Sequence, residues 1–246
     1  MRFADPISVK AKSLRVRILF AASQRQGTRP TQEDYFANYN DECFALADGL
    51  GGLPHGEVAS KLACETALWA YQHVRLRPFY WADKKLFLKR IFRSTNITLW
   101  QKQREKGLEG GMATTLITCI VGEKSFWAGG VGDSRLYHLD STGKLTSLFP
   151  DDTDSSGRLT NALGANRYGL VPHVAAKYFS RNDCLLLTTD GVSRYTDEKF
   201  LAKQLALCGE TTQSLSSSVE EILRGASERG STDNMTVVII KRVFSW

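Results

Sequence analysis

No stretch of this chain approaches the roughly 20 consecutive apolar residues that a membrane-spanning helix needs. The first 17 residues set Lys10, Lys12, Arg15 and Arg17 among isolated apolar positions and lack the continuous apolar centre of a secretion signal. The expectation is a protein of the cytoplasm with no membrane insertion. Paired cysteines are missing as well. The five present (Cys43, Cys64, Cys119, Cys184 and Cys208) are odd in number, widely spaced and without a Cys-x-x-Cys pair, and most sit in apolar runs. That pattern argues against a disulfide framework or a zinc site and for buried thiols in a reducing compartment. A concentrated basic patch is absent too. The net charge is +6, but the only local cluster is Lys84-Lys85 with Lys89-Arg90, on what reads as one helix. Such a face is ordinarily solvated, so nucleic-acid binding is not expected, and a mild attraction for acidic or phosphorylated partners is. With no internal repeat, no low-complexity tract and no dividing linker, residues 1–246 read as one domain.

What is there is a chain with 42% hydrophobic residues, enough for a sizeable core. Residues 16–22, 35–38 and 43–47 read as strands, and the last stops at Asp48-Gly49. Helical spacing follows over 56–74 and again over about 83–106, where Asp83 is placed to cap the amino end. Residues 113–121, 125–130 and 134–139 are β-rich and are separated by Gly122-Glu123-Lys124 and Gly132-Asp133, which predicts an antiparallel meander. Residues 150–158 and 164–172 read as loops, with room between them for one short helix. A buried strand over 183–189 ends at Asp190-Gly191. Helical spacing returns over 197–207 and 216–228, and a strand over 235–243 closes the chain. This order suggests two packed sheets with helices outside.

Four acidic stretches stand at predicted strand ends: Arg29-Pro30-Thr31-Gln32-Glu33-Asp34, Asp48-Gly49-Leu50-Gly51-Gly52, Thr189-Asp190-Gly191 and Thr232-Asp233-Asn234. Aspartates followed by glycine supply the carboxylate and carbonyl oxygens that hard cations such as magnesium and manganese prefer. A carboxylate that bridges two such ions, about 3.5–4 Å apart, allows a shared water to lose its proton near neutral pH. Asp48 is the candidate for that bridge and the Gly49 carbonyl for a neighbouring ligand. A tight turn in which Asp48 caps the following helix explains the same residues equally well. Convergence of Asp48, Asp190 and Asp233 is expected to require that their strands be neighbours in one sheet. Arg29, four residues before Glu33, carries a planar donor pair able to grip phosphate.

Together with Gly56-Glu57-Val58-Ala59-Ser60, Gly111-Met112-Ala113-Thr114-Thr115, Gly132-Asp133-Ser134-Arg135 and Asp233-Asn234-Met235-Thr236-Val237, these stretches resemble the bacterial metal-dependent serine/threonine protein phosphatases of type 2C. The resemblance runs in order from about residue 20 to 243, within a domain core of about 16–243. It implies an α+β fold, a four-layer αββα sandwich of two mainly antiparallel sheets with helices on both outer sides. It also implies two manganese or magnesium ions, held by Asp48 as the bridge, Gly49 through its carbonyl, Asp190 and Asp233 at one ion, and Glu33 at the other. Asp34 and Asn234 stand behind these ligands, Arg29 binds the phosphate, and Asp133 is read as structural. The activity implied is hydrolysis of phosphoserine and phosphothreonine by direct attack of a metal-bridging hydroxide, opposing a serine/threonine kinase or acting on its targets, with the monomer as the default state. A catalytically silent phosphoprotein-binding module is the alternative, although binding alone needs no complete metal site. The chain departs from the pattern at three places. Leu50 stands where some relatives carry a general-acid histidine, so proton delivery is unassigned, with His55 the nearest candidate. Glu109 is the nearest acid to a third ion, which is not assigned. The segment over 150–158 is shorter than the flap of relatives, which implies a more open mouth and substrate selection by docking elsewhere.

Overall fold

The computed structural model describes residues 15–77 and 83–245, so the reading of the amino terminus before residue 15 lies outside the described residues. The chain runs β1 (Arg15–Arg25), β2 (Asp34–Tyr39), β3 (Cys43–Asp48), α1 (Gly56–Val74), α2 (Lys84–Lys102), β4 (Leu116–Val121), β5 (Ser125–Val131), β6 (Arg135–Leu139), β7 (Leu145–Ser147), β8 (His173–Tyr178), β9 (Cys184–Thr188), α3 (Asp190–Ser193), α4 (Glu198–Ala206), α5 (Thr212–Glu228) and β10 (Met235–Ser245). Side-chain oxygens start three of the helices. Asp83 accepts the Leu86 N–H at 2.9 Å, Asp197 that of Phe200 at 2.8 Å and Thr211 that of Ser214 at 3.2 Å. Helix α1 starts differently, from His55 in a left-handed conformation (φ 69°) with no side-chain cap. Asp48 therefore does not cap it.

Two five-stranded antiparallel sheets pack face to face, one in the order β1-β10-β9-β6-β7 and the other β2-β3-β4-β5-β8. Strict alternation along the strands divides the interior into three apolar layers. On β3, Phe44 and Leu46 face the other sheet, while Cys43, Ala45 and Ala47 face α1 and α2. On β9 and β10, Leu185, Leu187, Val238 and Ile240 enter the same central layer, whereas Leu186, Val237 and Ile239 meet α4 and α5. Both faces of these strands are buried, so they read as continuous apolar runs. All five cysteines are buried with free thiols. No helix among the described residues is long and apolar enough to cross a membrane.

The αββα sandwich matches the expectation, but the meander does not form. β4 and β5 are hairpin partners, yet β5 and β6 belong to different sheets. Gly132-Asp133 carries the chain across the sandwich, aided by Gly132 at φ 100°, where a Cβ would strike the Thr115 side chain. The short helix between the two loops is absent as well. Residues 159–163 form no helix but are tied at both ends by isolated bridges, Thr153 with Leu159 and Thr114 with Leu163. Helix α2 stops at Lys102 rather than near 106, and α5 begins at Thr212 rather than 216.

Candidate metal centre

Glu33 immediately precedes β2, Asp48 ends β3, Asp190 follows β9 and Asp233 precedes β10. β2 pairs antiparallel with β3, setting Asp34 opposite Asp48, and β9 pairs with β10, setting Thr188 opposite Val237. The four acids therefore share one end of the sandwich. The expectation that convergence needs neighbouring strands in one sheet is corrected: Asp48 comes from one sheet, Asp190 and Asp233 from the other. Asp34 joins the two. Its buried Oδ2 accepts the hydroxyls of Thr189 at 2.8 Å, just past the end of β9, and of Thr236 at 2.6 Å, on β10 of the opposite sheet.

Backbone contacts hold Asp48-Gly49-Leu50 in a slot. The Asp48 N–H donates to Thr115 Oγ1 at 2.9 Å, and the Asp48 carbonyl accepts from the Thr115 N–H at 2.9 Å and the Thr114 hydroxyl at 2.7 Å. Thr115 Oγ1 in turn meets Ser134 Oγ at 2.8 Å. The Gly49 N–H donates to the Glu33 carbonyl at 3.1 Å and the Leu50 N–H to the Ala113 carbonyl at 2.9 Å. Any side chain at position 49 would run into the Gly56 backbone. The stretches around Thr114-Thr115 and Ser134 thus fix where the Asp48 carboxylate and the Gly49 carbonyl sit. Gly56 also makes room for Glu33, whose Cδ lies 3.0 Å from where a Cβ on that glycine would be. That places the Glu33 carboxylate at the amino end of α1, where a negative charge is favoured.

The acids interact strongly. The Asp48 carboxyl is pushed well above the usual range, first by burial and then by the charges of Asp34 and Asp190. Asp34 is pushed up to about 7 by burial, against the opposing pull of the two threonine hydroxyls. Its Oδ1 is buried with no hydrogen-bond partner. Asp133, buried beside Asp190, is raised as well. So much crowded negative charge is stable only with cations nearby. Among the described residues, two arginines pair with these acids. Arg29 Nη2 lies 2.7 Å from Asp233 Oδ2, and Arg194 Nη2 lies 2.5 Å from Asp133 Oδ2 and 3.1 Å from Asp190 Oδ2. These pairs occupy one oxygen each of Asp233 and Asp190, and among the described residues no three His, Cys, Asp or Glu side chains are gathered closely enough to hold an ion as they stand. The donor chemistry nevertheless fits hard divalent cations: carboxylates, one backbone carbonyl and an unpartnered carboxylate oxygen behind them.

Asn234, buried behind the acids, ties the Arg29 loop to β10. Its Oδ1 accepts the Glu33 N–H at 2.7 Å, and its Nδ2 donates to the carbonyls of Gln26 at 2.8 Å and Thr31 at 3.0 Å. Of the two remaining candidates, His55 directly precedes Gly56, the glycine that makes room for Glu33. Glu109 is exposed, its Oε2 accepts the Gly107 N–H at 3.0 Å, and its electrostatic neighbour is His55. Sequence reasoning missed Arg194. The available signal was its position four residues after Asp190, the spacing that brings two side chains together on one helical turn.

Known proteins resemble this chain in sequence and in fold. The family model described as protein phosphatase 2C matches residues 22–237. The serine/threonine phosphatase stp of Listeria monocytogenes is 24% identical over 222 residues, covering 82% of this chain and 85% of that protein. The serine/threonine protein phosphatase PstP of Mycobacterium tuberculosis is 30% identical over 213 residues, covering 79% of this chain and 39% of that protein. A crystal structure of the catalytic domain of PstP in complex with 2 manganese ions superposes with a TM-score of 0.76 at 27% identity, covering 94% of this chain and all of that one.

Proposed function

The chain belongs to the protein phosphatase 2C family, and on that premise we propose that the acidic end of its sandwich is where it hydrolyses phosphoserine and phosphothreonine on proteins. It is a metal-dependent serine/threonine protein phosphatase, working with a pair of manganese or magnesium ions on phosphoprotein substrates. When bound, the ions supply Lewis acidity, which neutralises phosphate charge and acidifies water.

The rest falls to the chain's own groups. Asp48 would be the ligand shared between the ions, because its strand end is clamped from both sides and its carboxylate feels the charges of both Asp34 and Asp190. The Gly49 carbonyl and Glu33 would hold one ion, Asp190 and Asp233 the other. Asp34 and Asn234 do not reach the ions but orient the loop and strand ends that do. Arg29 passes beside Gly51 at the exposed rim of the site. There its guanidinium exchanges the Asp233 carboxylate for two oxygens of the incoming phosphate, holding the phosphorus in line for attack.

The observation that carries this reading is the gathering of acids from strand ends of both sheets beside one exposed arginine. Its test is release of phosphate from a phosphothreonine peptide with manganese present. Activity lost in both Asp48→Ala and Asp233→Ala is the expected result, and no turnover with any divalent ion would overturn it. The physiological setting we infer is a cytoplasmic monomer, one domain in extent, that reverses the work of a serine/threonine kinase. Co-expression with such a kinase, followed by phosphosite mapping, tests that part.

A further inference from the structure

The crossover between the sheets and the single turn of α3 bring three charges into contact. Asp133 comes from the crossover and is only 5% exposed at its side chain, while Asp190 opens α3 and is 17% exposed. Asp133 is buried beside a second carboxylate, an arrangement that is strongly unfavourable unless a cation is close. One nitrogen meets the requirement for both. Arg194 Nη2 reaches Asp133 Oδ2 at 2.5 Å and Asp190 Oδ2 at 3.1 Å, in the position a bridging cation would take. The backbone holds it there. The Arg194 N–H closes the turn onto the Asp190 carbonyl at 3.0 Å, so side chain and main chain bind the same residue.

The geometry points to Arg194 as a resident cation of the acidic centre, one that fills the space between Asp133 and Asp190 and so closes it to any divalent ion. This rests on the proposed role of Asp190 as a metal ligand. A guanidinium keeps its charge throughout the working pH range, so it does not leave by losing a proton. Its planar shape also excludes an ion sterically while it is in place. With Oδ2 committed to Arg194, Asp190 keeps Oδ1 for the ion it shares with Asp233. Arg194 is thus a positioning residue with a second effect, a limit on how many ions the centre accepts.

The test counts ions rather than turnover. The metal-free full chain is titrated with manganese, and bound ions are counted by calorimetry and by loss of the free-ion electron paramagnetic resonance signal. The wild-type chain is expected to bind two, and Arg194→Lys, which retains a cation within reach, also two. Arg194→Ala is expected to bind three, with the additional ion lost again in Arg194→Ala/Asp133→Asn. Should the alanine variant fold poorly, Arg194→Gln keeps the near part of the aliphatic stem and removes the guanidinium with its charge, and the same gain is expected. A third ion in the wild-type chain overturns the proposal, as does an unchanged count in the folded Ala or Gln variant. A wild-type chain that binds no manganese overturns the metal centre itself, and this proposal falls with it.

Discussion

Asn234 Oδ1 accepts the backbone N–H of Glu33 at 2.7 Å, a single hydrogen bond that closes 201 residues of chain and sets the height of a proposed metal ligand. The same amide donates to the carbonyls of Gln26 and Thr31, so three main-chain groups of one loop depend on one buried side chain. Asn234→Ala leaves all three short of a partner. The expected cost is about 2–3 kcal/mol, somewhat below the sum of three separate losses because the loop is partly open to water. Urea denaturation measures it. Asn234→Asp keeps the acceptor for Glu33 but turns a carboxylate toward two carbonyls, so it is expected to recover only part of the loss.

Arg29 and Asp233 are both well exposed, with side chains 49% and 32% accessible. An ion pair of that kind contributes under about 1 kcal/mol to stability. Its proposed work is on the substrate, so stability and activity separate in Arg29→Ala. The melting temperature is expected to stay nearly unchanged while kcat falls on the order of 100-fold. Arg29→Lys retains the charge but loses the fork and is expected to lie between the two. A kcat equal to that of the parent enzyme would remove the phosphate role.

The sequence was most legible where one side chain's periodicity answered to one surface. Helix α1 runs over Gly56–Val74 as its spacing implied, and Asp83 caps α2. β8 escaped notice because His173–Tyr178 lies at a sheet edge with no buried residue in it, so neither alternation nor an apolar run marks it. β7 is three residues long, too short for any pattern. The crossing at Gly132-Asp133 was misread because a tight hairpin and a tight crossing between sheets need the same residues, and only the partner strands tell them apart. At the site, aspartate-glycine pairs revealed which acids matter. Their partners, Arg194 and the hydroxyls of Thr189 and Thr236, come from distant strands and left no local trace.

Gly191 is required by a neighbour rather than by its own backbone. A Cβ at this position would collide with the Asn234 carbonyl and approach the Asp233 side chain to 3.2 Å. The obstacle is main chain, which yields little. Gly191→Ala is expected to cost about 1–3 kcal/mol and to weaken manganese binding by pushing Asp190 and Asp233 apart. Gly52→Ala is the control. Nothing lies within 4 Å of its Cβ position, so only the positive φ of 90° opposes the change, and about 1 kcal/mol is expected with manganese affinity retained. Equal manganese affinity in Gly191→Ala and the parent would show that the ligands do not depend on this contact.

Asp48 separates the needs of function from those of folding. Its carboxylate is crowded by Asp34, Asp190 and Asp133, and burial raises the cost of its charge further. Without metal, then, the charge opposes the folded state, and Asp48→Asn is expected to be at least as stable as the parent when both are held in chelator. Metal reverses the order. Ions that bind only the folded chain stabilise it by mass action, about 2.7 kcal/mol at a hundredfold excess over Kd, so the parent's melting temperature is expected to climb with manganese concentration. Asp48→Asn lacks the proposed bridging charge, and its melting temperature is expected to stay flat over the same titration, with no turnover at any concentration. Thermal unfolding of both chains, in chelator and across a manganese series, reads each half separately. A variant that loses stability in chelator would show that the acid is held there for the fold, and a variant that still answers to manganese would show that the bridge lies elsewhere.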